Sequence, residues 1–237
     1  AVYYGFDADM DGDDRTYLSN FFPEEALSEA ISEQVNPLTI GELRKRLGGK
    51  KNGEFASYQE AYMAMLALCE LSNDANLTCD LIYVDDDDIP ELAVGYTGYW
   101  VSMYTYHDGK VSTLMDRWAY GAMGNVGYEY IPRGNRLRNY NNDYAGLIHY
   151  TTYMEIRNQD SLETVMQIET YNFDDVNGNG MPDDGEMDSA GFYSVSYVNG
   201  EEITDEQYAA YDAGAYEYID GSKSLDEVKQ ALAQTNR

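Results

Sequence analysis

Positive charge is what this chain has least of. Its 237 residues carry 15 Lys and Arg against 43 Asp and Glu, a formal net charge of −28, with a pI near 4.1. Such an excess repels phosphate backbones and anionic membrane surfaces, so nucleic acid is excluded as a partner. Histidine is almost absent, with only His107 and His149. His107 precedes an Asp108-Gly109 turn and His149 falls in a strand-like stretch, so both read as structural. The sequence holds no G-x-S-x-G, H-E-x-x-H, C-x-x-C or P-loop pattern, which removes the common nucleophile and metal-hydrolase signatures. The Gly121, Gly124 and Gly127 spacing has no strand-to-helix unit around it and is no dinucleotide fingerprint. Cysteine is nearly missing too. Cys69 and Cys79 are ten residues apart, a spacing compatible with a disulfide or with two buried thiols. No apolar run approaches the roughly 18 residues of a spanning helix. The sequence begins at Ala1 without a signal-peptide pattern, as a processed or trimmed protein would, and any lipid anchor would lie outside these residues.

What is present is enough for a folded protein. Hydrophobic residues make up 43%, and Tyr, at 24 copies against six Phe, dominates the aromatics. Tyrosine keeps a polar handle on an apolar body, which suits half-buried sheet faces. The acidic excess reads in two ways: a solubilising surface, or a self-repelling polypeptide that needs bound cations.

The element pattern is α+β. Pro23 with Glu24 and Glu25 predicts a helix carrying Ala26, Leu27, Ala30 and Ile31. Thr39 and Glu42 form a capping box before Leu43 and Leu47, and Gly48-Gly49 ends that helix. Ser57 and Glu60 repeat the capping spacing ahead of a helix over 58–71. From Asp80 the period turns to two. Strands are predicted at 81–84, 92–96, 100–106, 147–156, 164–173 and 192–198, the last before an Asn199-Gly200 turn. Thr204/Gln207 and Ser224/Glu227 cap two closing helices. The expectation is therefore an antiparallel β-sheet with helices before and after it. It divides into a loop-and-helix segment, 1–53, and a main α+β domain, 54–237.

The chemistry-bearing feature is Asp175 to Glu186. Asp175, Asn177, Asn179, Asp183 and Glu186 stand at positions 1, 3, 5, 9 and 12 of a twelve-residue loop, with Gly180 at position 6. That is D-x-[DN]-x-[DN]-G-x5-E in full. Calcium takes six to eight hard oxygens, the glycine allows the sharp turn, the Met181 carbonyl can contribute and Glu186 can bind through both oxygens. The flanks read as strands, so the expectation is an EF-hand-like Ca2+ loop between strands. An Asx-rich turn without metal is the alternative. A second stretch, Asp7, Asp9 and Asp11 followed by Gly12, has half the pattern, with Arg15 and Leu18 where ligands would close it. It reads as a partial calcium site or a solvated acidic terminus.

A third stretch is Asp85-Asp86-Asp87-Asp88-Ile89-Pro90-Glu91-Leu92. It resembles the D-x-D-G-D-G-x-P-E-L segment of uncharacterised secreted proteins and lipoproteins of Gram-positive gut bacteria, and is similar to the calcium loops of FG-GAP and VCBS-type repeats. Asp85, Asp87 and Glu91 match its acidic positions. Tyr83 stands where those loops carry their first Asp, and Asp86 and Asp88 replace the glycines. Tyr99 to Tyr106 and Asn139 to Gly146 also resemble that group. The resemblance covers roughly half the sequence and implies a secreted or cell-surface location and an acidic loop, with no activity attached.

Two further clusters bear on function. Trp100, Trp118, Tyr120, Tyr128 and Tyr130 could stack on sugars or clasp a peptide, or could be core. Arg133, Arg136 and Arg138 could hold a carboxylate ligand or pair with neighbouring acids. The reading is a calcium-binding extracellular surface protein, an interaction or ligand-binding module for a surface, carbohydrate or peptide ligand. The alternatives are a secreted carbohydrate-active hydrolase using an Asp/Glu pair, and a structural spacer in a larger surface protein.

Overall fold

Ser57 starts the first helix among the described residues, α1 (Tyr58–Cys69): its hydroxyl accepts from the Glu60 N–H at 3.3 Å. The Glu60 carboxylate accepts from Ala56, one residue before the position a capping box uses. The computed structural model to which this helix belongs describes residues 48, 50–70 and 75–234. The helices expected from Pro23 and Thr39 and the Asp7, Asp9, Asp11 loop lie outside the described residues, as does most of the segment 1–53.

The strands form two antiparallel sheets. Sheet A runs in sequence order: β1 (Thr78–Ile82), β2 (Glu91–Tyr96), β3 (Trp100–His107), β4 (Lys110–Ala119). Sheet B holds β5 (Gly127–Ile131), β6 (Arg136–Asp143), β7 (Ile148–Arg157), β8 (Ser161–Tyr171), β9 (Val195–Val198), β10 (Glu201–Ile203) and the short β11 (Glu217–Tyr218). Its order is β10-β9-β8-β7-β6-β5-β11. Two α-helices, α2 (Asp205–Asp212) and α3 (Leu225–Gln234), follow β10. The fold is α+β, as the sequence implied, with the strands divided between two sheets.

Side-chain alternation explains the stacking. Leu92, Val94, Tyr104 and Tyr106 face α1 and α3, where they meet Tyr62, Leu66, Val228 and Leu232. The intervening Ala93, Val101 and Met103 face sheet B and meet Tyr128, Tyr130, Leu137, Met154 and Ile156. Strand β2 is buried on both faces because it lies in the middle layer. On the far side of sheet B, α2 docks through polar groups. Asp212, its last residue, accepts from the Tyr140 and Tyr153 hydroxyls and from Arg138 Nη1, each at 2.8 Å. Arg138 also bonds Glu129 at 2.7 Å, and Arg136 caps the Tyr211 carbonyl. Cations at a helix C-terminus satisfy its last carbonyls and complement its dipole. The arginine cluster thus pairs internally.

The segment after α2 ties the two sheets together. β11 pairs with β5, Ile219 enters the inter-sheet core, and Lys223 makes a bridge to Cys79 of β1. Gly221 lies flat on that strand, since a Cβ there would come within 2.7 Å of the Cys79 backbone. Cys69 and Cys79 are buried thiols of the helix-side core. No described helix is long and apolar enough to cross a membrane.

Candidate metal centre

The Asp175–Glu186 loop belongs to the connection between β8 and β9, whose neck is closed by the Tyr171↔Val195 pair. Tyr171 stacks on fully buried Phe173, with ring centroids 5.4 Å apart, and this anchors the backbone as it leaves the sheet. On the return side a short 3-10 turn (Met187–Ser189) follows, and Ser189 Oγ accepts from the Asp174 N–H at 2.6 Å.

Within this frame the loop is wound by its own side chains. Asp175 accepts from the N–H groups of Asn179 and Gly180 at 3.1 and 2.9 Å. Asn177 Oδ1 accepts from Asn179 N–H at 2.9 Å, and Asn179 Oδ1 from Met181 N–H at 2.8 Å. Glu186, only 8% exposed, accepts from Asn177 N–H at 3.3 Å and from Asp183 N–H at 3.2 Å. The last residue of the pattern therefore reaches back across the loop to both of its limbs. Gly180 has φ +72°, a left-handed conformation that favours glycine, and a Cβ on it would crowd the Tyr171 hydroxyl at 3.1 Å.

The donor set fits a hard cation. Asp175, Asp183 and Glu186 supply carboxylates, Asn177 and Asn179 supply amide oxygens that each retain a second lone pair, and Met181 supplies a carbonyl. Both asparagine amides donate to Asp183 Oδ2, at 2.8 and 3.0 Å, so Asp183 is held beside the two asparagine side chains. Among the described residues no three His, Cys, Asp or Glu side chains group as a preformed metal cage. A cation here would rest on mixed carboxylate, amide and carbonyl oxygens. One signal in the sequence reinforces the site: between Arg157 and Lys223 there is no Lys or Arg at all. No basic side chain of that stretch offsets the loop's acids.

The Asp85 run is built differently. Asp85 accepts from Asp87 N–H at 3.1 Å and Asp87 from Ile89 N–H at 2.8 Å, two successive Asx turns. Arg133 stacks on Tyr83 and reaches the Asp87 carbonyl at 3.2 Å and Asp88 at 3.4 Å. Glu91 turns inward. It is fully buried, accepting from Val84 N–H at 2.9 Å and from the Thr105 hydroxyl at 3.2 Å. Burial, reinforced by Asp85 and Asp87, pushes its carboxyl up to about 8 against the two hydrogen bonds. Asp87 is raised as well, chiefly by burial. Asp85 and Asp87 thus share a turn, while Glu91 spends its oxygens on the core.

The aromatic residues of the middle region are packing groups. Tyr120, Tyr128 and Tyr130 are buried between the sheets, with Trp118 tilted on Tyr128 at 5.5 Å. Trp100 lies against the helix-side core under the Arg117 guanidinium. The inward turn of Glu91, which the loop resemblance placed among the acidic positions, and the Asp212 hub escaped sequence reasoning. Their only trace is an acid opening an apolar strand, and the alternating Arg136, Arg138 and Tyr140. Compared with known proteins, this sequence and its fold match no protein family, no curated protein and no solved structure.

Proposed function

We propose that this is a calcium-stabilised extracellular or cell-surface module, in which Asp175, Asn177, Asn179, Met181, Asp183 and Glu186 hold a Ca2+ ion. The observation that carries the reading is Glu186: a buried carboxylate at the twelfth position that brackets both limbs of a loop whose sixth residue is a left-handed glycine. The ion would supply positive charge in the stretch without Lys or Arg, tying the β8–β9 connection into a single conformation. Its role is stability, with the remaining surface left for a carbohydrate or peptide ligand. The resemblance of 85–92 to loops of secreted Gram-positive proteins and lipoproteins supports the same location. Glu91, the one carboxyl among the described residues pushed to about 8, is fully buried. A substrate does not reach it there, so it lends nothing to a hydrolase.

The test is a thermal melt with calcium against chelator, beside calorimetric titration with calcium chloride. A ligand at about 100 times its dissociation constant stabilises by about 2.7 kcal/mol. For a domain of this size that is roughly 5–10 °C in Tm. Asp175→Ala should abolish most of the shift, while Asp188→Ala, outside the ligand pattern, should keep it. A melt indifferent to chelator, with no binding heat, overturns the reading.

A further inference from the structure

We infer that Asn177 is a self-modifying site, at which the loop converts an amide ligand into a carboxylate when no cation holds it. The calcium dependence of this step rests on the reading above; the choice of residue does not. An Asn-Gly step deamidates when the glycine nitrogen attacks the asparagine Cγ. The new bond from that nitrogen to Cγ closes a succinimide ring, the Cγ–Nδ2 bond breaks, and the amide proton leaves with the departing nitrogen as ammonia. Water then opens the ring to aspartate or to isoaspartate. Two conditions set the rate: a free attacking N–H, and a backbone that can rotate into the ring geometry.

Four such steps occur in the sequence, at Asn52, Asn177, Asn179 and Asn199. Gly53 N–H is tied to the Gly109 carbonyl at 2.9 Å. Gly180 N–H is tied to Asp175 at 2.9 Å. Asn199-Gly200 is a two-residue turn clamped by the Val198↔Glu201 pair, with φ of +52° and +78°. Gly178, like Gly200, donates its N–H to no group among the described residues, is exposed together with its asparagine and has open space over its Cα. Asn177-Gly178, however, is flanked by no strand pair, so of the four steps it combines a free N–H with a backbone outside a clamped turn.

What restrains Asn177 is its own amide: Nδ2 donates to Asp183 at 2.8 Å and Oδ1 accepts from Asn179 N–H at 2.9 Å. Asp175, Asp183, Asp184 and Glu186 put four carboxylates on that loop. With a cation among them the amide stays pinned away from Gly178; without one, their repulsion opens the loop and frees it. Conversion to aspartate puts a further carboxylate at a position where the calcium pattern accepts Asp as well as Asn. The isoaspartyl product lengthens the backbone and spoils the turn.

The whole protein is incubated in mildly alkaline buffer with calcium or with chelator, and each Asn-Gly step is followed by peptide mass spectrometry after cleavage at Glu. Asn177 should convert several-fold faster than the other three in chelator and be slowed several-fold by calcium. If Asn52, Asn179 or Asn199 keeps pace with Asn177 in chelator, the site assignment is overturned. If Asn177 leads but calcium does not slow it, the site stands and the gating falls, while the calorimetric titration decides the calcium reading separately. The Asn177→Asp variant should bind calcium several-fold more tightly; weaker binding refutes the consequence drawn for the conversion.

Discussion

Glu91→Gln is the substitution whose effect should depend most sharply on pH. Glu91 lies between the sheets with no solvent contact, bonded only by Val84 N–H and Thr105. Its carboxyl is pushed up from 4.5 to about 8, first by burial and then by Asp85 and Asp87. In the unfolded state the group ionises near 4.5, so between 4.5 and about 8 the unfolded state binds fewer protons than the folded one. Stability must therefore fall as pH rises through that window, and become flat above it. At about 1.4 kcal/mol per pH unit the loss is at most about 5 kcal/mol. Gln has nearly the same shape: its carbonyl takes the Val84 N–H and its amide faces Thr105 Oγ1. The variant should match the parent near pH 4.5 and exceed it by about 3–5 kcal/mol at pH 8, read from urea unfolding midpoints across pH. A parent–variant gap that stays flat from pH 4.5 to 8 would refute the reasoning, since Glu91 would then ionise alike in both states.

Other outcomes follow from the packing. Asp212→Ala strands the Arg138 guanidinium and two tyrosine hydroxyls on a largely covered face. It should cost about 3 kcal/mol in urea unfolding and release α2 to amide exchange. Gly121→Ala places a Cβ 2.0 Å from the Gly98 carbonyl at φ +84°, so it should lower Tm by roughly 10 °C or more, whereas alanine at open Gly191 should cost far less. Tyr120→Phe removes the acceptor of Gly98 N–H and the donor to Asp220; a loss of about 1–3 kcal/mol is expected. Cys69 and Cys79, buried in the helix-side core, should resist a thiol reagent until the protein is unfolded.

Most strongly apolar or capped elements were legible in the sequence. Helix α1 and strands β2, β3, β7, β8 and β9 fall where periodicity placed them, within a few residues. The Thr204/Gln207 capping box is present with both its bonds, and the Ser224/Glu227 pair bonds in the same way. Strands β4, β5 and β6 were not legible. In β6, Arg136-Leu137-Arg138-Asn139-Tyr140-Asn141-Asn142-Asp143 contains one aliphatic residue, because its outer face is dressed for the polar dock of α2. β4 is broken by an irregular register near Met103 and by Arg117 at φ +47°, which scrambles its alternation. The division into two sheets was also hidden, since nothing local marks which hairpins stack. At the site, spacing alone placed Gly180 and Glu186 in their geometric roles. It could not reveal that Glu91 turns inward, because that depends on Thr105 being delivered from another strand.

The stitch made by residues 217–223 sets an order of events. It joins β5, and then β1 across 144 positions of sequence (Cys79 to Lys223), and it precedes the two residues, Val228 and Leu232, that complete the core beneath α1. Contacts so distant in sequence must close large loops before they return any stability. A growing polypeptide can pair β1 to β4 early against α1, yet the helix side of that sheet stays half covered until α3 emerges, long after β4. For that interval the half-covered sheet stays open and pliable.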